Sequence, residues 1–540
     1  MRRGDSEQVV RQKHIWLFPA LLCLGVIGYL IAGHGFSERP PVSENERETP
    51  VPKAYPREDQ LPKFRQSDRA DLPADDAGAI VGGAIPNQRA IVFKDSDTLE
   101  GFLAKLGNGV TLLGRLDKLN ALLVGFTNES DLAALLDGSE QSSMIYPVNI
   151  PAFESTGAQA GALGLGDGLL KWLGVAGDNS LWGKGVKIAV LDTGIADHIA
   201  FKNPILRINF VPWPENPADL NGHGTAVATL IFSNNAFAPG IAPAATPLSI
   251  RIADDNGSSN SFLISQGIIA AVDEGAQIIN ISLGGSGKSG LVETALDYAR
   301  QRGVVVVAAA GNSGTEGVMQ PAANPSVIAV GAVDAKNQHL AFSTTGSEVA
   351  ISAPGFEVNV AYPDDKAARV NGTSFSAPII TGAIGAAMSN SGSQALNATA
   401  ALSALNRNLN DIGVQGRDDS TGAGVPDMWR ILNADRPGLY DAAITSVYTV
   451  DDSRGSEVRV LIQNQGTETI VNAGVSINVN GNSTQANITS LAVGDTRVIS
   501  VPVNVSENLN IQSSVQLSGG QTDQRPSNDS LTHRNSNSGP

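Results

Sequence analysis

Four apolar, β-branched runs punctuate the middle of the chain, at 186–191, 278–283, 304–309 and 327–330. Stretches with helical spacing lie between them, notably 261–274 and 290–302. Near-continuous apolar strands alternating with helices predict an α/β region with a doubly wound parallel sheet covered on both faces. Ligands of such sheets bind at the carboxyl ends of the strands, so residues just after each run are the candidates for chemistry. Farther on, Ala377, Gly382, Ala383, Gly385, Ala386 and Ala387 make a helix that is small and apolar nearly all round. Such a helix belongs in close backbone contact with its neighbours. The turn before it, Asn371-Gly372-Thr373, puts Ser374 at the helix N-terminus, with Pro378 expected in the first turn.

The pattern differs on either side. Residues 90–93 read as a strand, 98–106 as a helix, 110–119 with 121–126 as a hairpin, 130–136 as a helix and 143–148 as a last strand. That β-α-β-β-α-β order is a ferredoxin-like α+β unit, which by itself says nothing of function. After Pro437, alternating strands at 441–444, 458–462, 473–479, 496–501 and 514–517 are split by Gly, Asn and Ser turns. Ahead of everything, Arg2, Arg3, Arg11 and Lys13 precede an apolar segment at 15–33, close to the length that spans a bilayer. Basic residues stay cytoplasmic, so the remainder is expected outside the cytoplasm, single-pass anchored or secreted after signal cleavage. The expected organisation is a signal anchor or signal peptide at 1–33 and a disordered linker at 34–86. The ferredoxin-like unit follows at 87–153, the α/β domain at 160–436, an all-β domain at 437–520 and a polar tail at 521–540.

Composition narrows the chemistry. With 37 Lys and Arg against 53 Asp and Glu, the net charge of −16 argues against a nucleic-acid partner. The one cysteine, Cys23, lies in the N-terminal apolar segment, so no disulfide, cysteine nucleophile or cysteine-based metal site is available to the domains. No His-Glu-x-x-His spacing occurs, which argues against a zinc hydrolase.

Four polar residues stand in small-residue turns. Asp192 follows the first apolar run in Leu191-Asp192-Thr193-Gly194. Asp-Thr-Gly also marks aspartic proteases, but these need a second copy to share a proton between two carboxylates, and none occurs. His223 sits between Gly222 and Gly224, and Asn312 follows the run at 304–309 in Ala310-Gly311-Asn312. Singly, these residues and Ser374 read as a turn aspartate, a structural histidine, a turn asparagine and an N-cap serine.

Their order resembles the subtilisin-like serine proteases. The matching pieces are residues 190–195, 223–225, 240–243, 280–284, 310–312, 327–332, 353–355 and 372–374, in family order. The resemblance implies Ser374 as nucleophile, His223 as general base and acid, and Asp192 as the residue that orients and stabilises the imidazole. It implies Asn312, with the Ser374 N–H, as oxyanion donor. Ser282, Leu283 and Gly284 would pair with an extended substrate, and Ala310 and Gly311 would line a primary pocket tolerant of sizeable apolar side chains. Ala226, Thr229 and Ile379 replace a histidine, a glycine and a histidine usual in the family; none is a reacting group. No cofactor is required, although Asn234-Asn235 resembles a shortened structural calcium loop. By the same resemblance the ferredoxin-like unit is a pro-domain that assists folding and inhibits until self-cleavage between Pro151 and Leu165. The C-terminal strands, through Gln463-Asn464-Gln465-Gly466-Thr467 and Pro526-Ser527-Asn528-Asp529, resemble CARDB-type bacterial adhesion modules, which are immunoglobulin-like sandwiches. The expected protein is thus a monomeric, exported serine endopeptidase made as a zymogen and acting on polypeptides. Its rival is a catalytically silent relative that serves as an adhesion or scaffold protein.

Overall fold

The computed structural model of the chain describes residues 83–107, 109–151, 162–175, 177–211, 219–314, 317–390, 395–452, 455–503 and 509–535. The N-terminal apolar segment, nearly all of the expected linker, and residues 152–161 of the expected cleavage region lie outside them. Among the described residues no helix is long and apolar enough to cross a membrane.

The first unit runs β1 (Gln88–Val92), α1 (Ser96–Leu103), β2 (Val110–Leu116), β3 (Ala121–Phe126), α2 (Glu129–Ala133) and β4 (Gln141–Met144). Its antiparallel sheet has the order β2-β3-β1-β4. Strand alternation gives β3 two apolar faces. Leu122, Val124 and Phe126 pack with Leu99 and Phe102 of α1, whereas Ala121 and Leu123 join a second cluster with Phe262, Ile264 and Leu291. The expected final strand at 143–148 is two strands. After Met144 the chain leaves the sheet, and β5 (Pro147–Asn149) pairs elsewhere. Pro147 has no N–H for the first sheet's ladder, consistent with a break there.

The central unit continues with α3 (Leu169–Trp172), β6 (Lys187–Asp192), β7 (Leu206–Asn209), α4 (His223–Phe232), the small hairpin β8 (Asn234–Asn235) and β9 (Ala238–Pro239), and β10 (Thr246–Arg251). It goes on through β11 (Ser258–Asn260), α5 (Ser261–Asp273), β12 (Ile278–Ile281), α6 (Gly290–Gln301), β13 (Val305–Ala309), β14 (Val327–Val333) and β15 (Val349–Pro354). The hairpin β16 (Val358–Tyr362) and β17 (Lys366–Val370) precedes α7 (Thr373–Asn390), α8 (Ala398–Arg407) and α9 (Met428–Asn433). Seven strands form one parallel sheet in the order β15-β14-β13-β12-β6-β10-β7. One face is covered by α4, α7 and α8 and the other by α5 and α6. Strand order reverses between β6 and β12, so a crevice opens at their carboxyl ends, beyond Asp192 and before Ser282.

Helix α7 is buried along nearly its whole length, as its small residues require. Pro378 is not in the first turn but inside the helix, where it cannot donate to the carbonyl of Ser374 four residues earlier. Ser282 Oγ takes that role, donating to Ser374 O at 2.8 Å.

Seven strands follow, β18 (Ala442–Asp452), β19 (Gly455–Asn464), β20 (Ile470–Val479), β21 (Asn482–Leu491), β22 (Thr496–Val503), β23 (Leu509–Gln516) and β24 (Ser530–Asn535). They make the sheets β18-β19-β22 and β21-β20-β23-β24 around one core that includes Val447, Val460, Ile462, Val475, Ile477 and Ile511. The expected tail from 521 is part of this fold: β24 pairs with β23 in antiparallel register. Just before it, Arg525 reaches back to Asp427 at the start of α9, at 2.7 Å. The polar sequences of β21 and β24 carry little apolar alternation, which hid both strands.

Candidate active site

The end of β6, the start of α4 and the start of α7 converge on the crevice. Asp192, fully buried as the last residue of β6, faces His223 with Oδ1 2.8 Å from Nδ1. The same carboxylate oxygen accepts the Thr193 N–H at 2.8 Å. His223 is the first residue of α4, and its ring lies 5.5 Å from that of Phe375. Gly222 adopts φ +88°, and a side chain there would collide with Tyr362 of the β16 hairpin. At Gly224 a Cβ would fall 2.0 Å from the Gly194 carbonyl oxygen, so the two turns approach as only glycine permits.

Ser374, 2% exposed, opens α7. Its hydroxyl donates to Ser282 O at 3.3 Å, and the buried His223 Nε2 has no hydrogen-bond partner among the described residues. Asn280 Nδ2 donates to Ser282 Oγ at 3.0 Å and Thr381 Oγ1 to Asn280 Oδ1 at 2.9 Å. This buried chain locks the Ser282 turn to α7.

Asn312 follows β13. Its Oδ1 accepts the Thr373 N–H at 3.0 Å and the Thr373 hydroxyl at 2.9 Å. A backbone N–H can only donate, so the amide oxygen is fixed there and Nδ2 is turned to the Gly372 side. Leu283 and Ala310 are fully buried. Gly311 and Gly284 both lie against Met319, which would meet a Cβ at either position within 3.0 Å. The walls at Ala310 and Gly311 are small, as their residue types require, but Met319 occupies space beside them.

The stretch expected to pair with substrate is already paired within the chain. Asn149 N donates to Gly284 O and Gly284 N to Asn149 O, both at 3.0 Å. On the other side β5 pairs antiparallel with β11, and Ile150 N donates to Gly257 O at 3.0 Å. The segment from Tyr146 to Ile150 thus runs as a middle strand between two edges of the crevice.

Sequence reasoning missed Asp219. This buried carboxylate accepts from Gly222 N, Thr225 N, Thr225 Oγ1 and Thr193 Oγ1, all within 2.7–2.8 Å. Burial pushes its pKa up and the donors pull it back, leaving it raised. An acid four residues ahead of His223, at the start of a helix, was the available signal. The replacement residue Thr229 is also used, with Oγ1 accepting Ala361 N at 3.1 Å. At Asn234-Asn235, Asn235 Oδ1 accepts the Phe237 N–H at 2.9 Å. Among the described residues no cluster of three or more His, Cys, Asp or Glu side chains could hold a metal.

The subtilase family (Peptidase_S8) model matches residues 183–424. The thermostable alkaline protease of Halalkalibacterium halodurans is 40% identical over 213 residues, covering 38% of this chain and 58% of that protein. Subtilisin Savinase of Lederbergia lenta is 41% identical over 214 residues, 38% of this chain and 78% of that one. Thermitase of Thermoactinomyces vulgaris is 38% identical over 226 residues, 41% of this chain and 80% of its own length. The aligned region thus spans just over half of the first relative and about four fifths of the other two. With identity at this level across most of the length of two such relatives, the chain belongs to the subtilase family.

Proposed function

We propose that the protein is an exported serine endopeptidase that hydrolyses polypeptides through Asp192, His223 and Ser374 and is made as a self-processed zymogen. The observation that carries this reading is the 2.8 Å contact of Asp192 Oδ1 with His223 Nδ1, with the ring 5.5 Å from that of Phe375, the neighbour of Ser374, and a buried Nε2 that has no hydrogen-bond partner among the described residues. With Nδ1–H donated to Asp192, Nε2 is the basic nitrogen. Rotation of Ser374 Oγ from Ser282 O toward Nε2 lets His223 take the hydroxyl proton as Oγ bonds to the scissile carbonyl carbon. His223 then gives that proton to the leaving amine, and water releases the acyl group by the same steps in reverse roles. Asn312 Nδ2 and the Ser374 N–H at the head of α7 stabilise the oxyanion.

An extended substrate adds as a strand between Ser282-Leu283-Gly284 and the β11 edge, where the chain's own segment now lies. On this reading residues 87–153 are an inhibitory pro-domain, docked on α5 and α6. The immunoglobulin-like sandwich is a C-terminal appendage, fastened through Arg525 and Asp427. The segment at 15–33 directs export, as anchor or cleaved signal, and the working unit is a monomer that requires no cofactor. Expression of wild type and Ser374→Ala, with intact mass and N-terminal sequencing, tests the reading. Loss of the pro-domain in wild type alone supports it; identical intact chains, with no peptide hydrolysis, favour a silent scaffold.

A further inference from the structure

The antiparallel register in the crevice can be carried two residues further. Asn149 exchanges both hydrogen bonds with Gly284, so Ile150 falls opposite Leu283 and Pro151 opposite Ser282. In this ladder the residue opposite Ser282 is the next that would donate its N–H, to Ser282 O. Proline has none. The oxygen accepts the hydroxyl of Ser374 instead, at 3.3 Å, and His223 Nε2 is without a partner among the described residues. Pro151 itself is buried, and the register carried on from Asn149 and Gly284 would bring its carbonyl toward Ser374.

We propose that Pro151 is a brake on self-processing: it places the bond to Ala152 at the nucleophile but, lacking an N–H, leaves Ser282 O to hold the Ser374 hydroxyl away from His223. This rests on the endopeptidase reading above and names both the bond cut and what slows it. In the step itself Ser374 Oγ bonds to the Pro151 carbonyl carbon and its proton passes to His223. The C–N bond to Ala152 then breaks as His223 protonates the new amine, and water releases the Pro151 carboxylate. A residue with an N–H at 151 would satisfy Ser282 O, free the hydroxyl for His223 and fasten the strand with one more hydrogen bond. A backbone hydrogen bond of ordinary strength corresponds to roughly tenfold in rate.

The test compares full-length wild type and Pro151→Ala for the rate of self-cleavage and the new N-terminus. Processed enzyme is then given peptides spanning 146–156 with proline, alanine or N-methylalanine at position 151. N-methylalanine lacks both the N–H and the ring. The expected result is a new N-terminus at Ala152 in both proteins, with the variant about tenfold faster. Among peptides, alanine is cut fast while proline and N-methylalanine are both slow. A first cut elsewhere, equal rates, or an N-methylalanine peptide as fast as alanine overturns the brake. Absence of both self-cleavage and hydrolysis of all three peptides sinks the endopeptidase reading instead, an outcome distinct from equal rates.

Discussion

Thr193 Oγ1 donates to Asp219 Oδ1 at 2.8 Å while accepting the Gly224 N–H at 3.0 Å, tying the turn after Asp192 to the helix that carries His223. The Thr193 oxygen is 3.3 Å from Asp192 Oδ1, but a hydroxyl has one proton, and the shorter contact to Asp219 claims it. The pairing of Asp192 with His223 is therefore held from behind by a second, buried carboxylate.

Asp219→Asn should loosen this arrangement. Each Asp219 oxygen faces a backbone N–H, from Gly222 on one side and Thr225 on the other, so either orientation of an amide sets NH2 against a donor. The expected cost is about 1–3 kcal/mol of stability, read from denaturant unfolding in the Ser374→Ala background. In active protein, kcat should fall more than KM rises. An unchanged midpoint would mean that Asp219 is not the clamp.

Substitutions of the proposed triad should separate chemistry from folding. Asp192→Asn keeps the shape but permits the wrong imidazole tautomer, and a loss of about 10⁴-fold in kcat is expected. His223→Ala should match Ser374→Ala within a few-fold, and the double variant should lose no more than either, because the groups act as a unit. Additive losses would contradict the assignment.

The oxyanion role proposed for Asn312 and its contacts with Thr373 can be divided by two substitutions. Asn312→Asp keeps an acceptor for Thr373 N–H and hydroxyl but removes the donor, so kcat should drop about 100- to 1000-fold with little change in stability. Asn312→Ala removes both, adding a thermal destabilisation. Equal melting temperatures for the two variants would show that the Thr373 contacts carry no weight.

A pH dependence should come from the junction between α9 and the C-terminal sheets. Asp441 is fully buried; its Oδ1 accepts from Asn528 at 2.9 Å, while Oδ2 lies 3.5 Å from Arg525 without a hydrogen bond. Burial raises its pKa from 3.8 to about 7, against the pull of Arg525. A carboxyl whose folded pKa is raised binds its proton more tightly when folded. Its favourable contribution is complete below pH 4 and is lost as pH rises toward 7. The shift corresponds to roughly 4 kcal/mol at most. In the Ser374→Ala background, wild type should lose stability relative to Asp441→Asn between pH 4 and 7. Parallel melting curves across that range would refute the assignment.

The α/β class, the four candidate positions and their order were legible in the sequence because each is a local matter. Apolar β-branched runs at 278–283 and 304–309 specify buried strands, and a glycine-flanked His223 or an Asn312 after a strand marks a turn that must hold something. The strands β10 and β15 were not, since Thr246–Arg251 and Val349–Pro354 interleave Ser or Pro with their apolar residues and are strands because their neighbours pair with them. The parts played by Asp219 and Thr373 were not read either, as each matters through hydrogen bonds to groups brought from other turns.

The sequence by itself determined the sheet, the buried helix behind Ser374 and the residues available for catalysis, all through short-range pattern and chain chemistry. Only the tertiary structure decided that Pro147 and Pro151 bracket a strand lying in the crevice, that Met319 leans on Gly311, and that Ser374 bonds to Ser282 rather than to His223. Those facts depend on register and hydrogen-bond competition between segments that are not neighbours in sequence, such as Ser282 and Ser374 or Asn149 and Gly284, and local pattern carries no information about which distant group an oxygen will face.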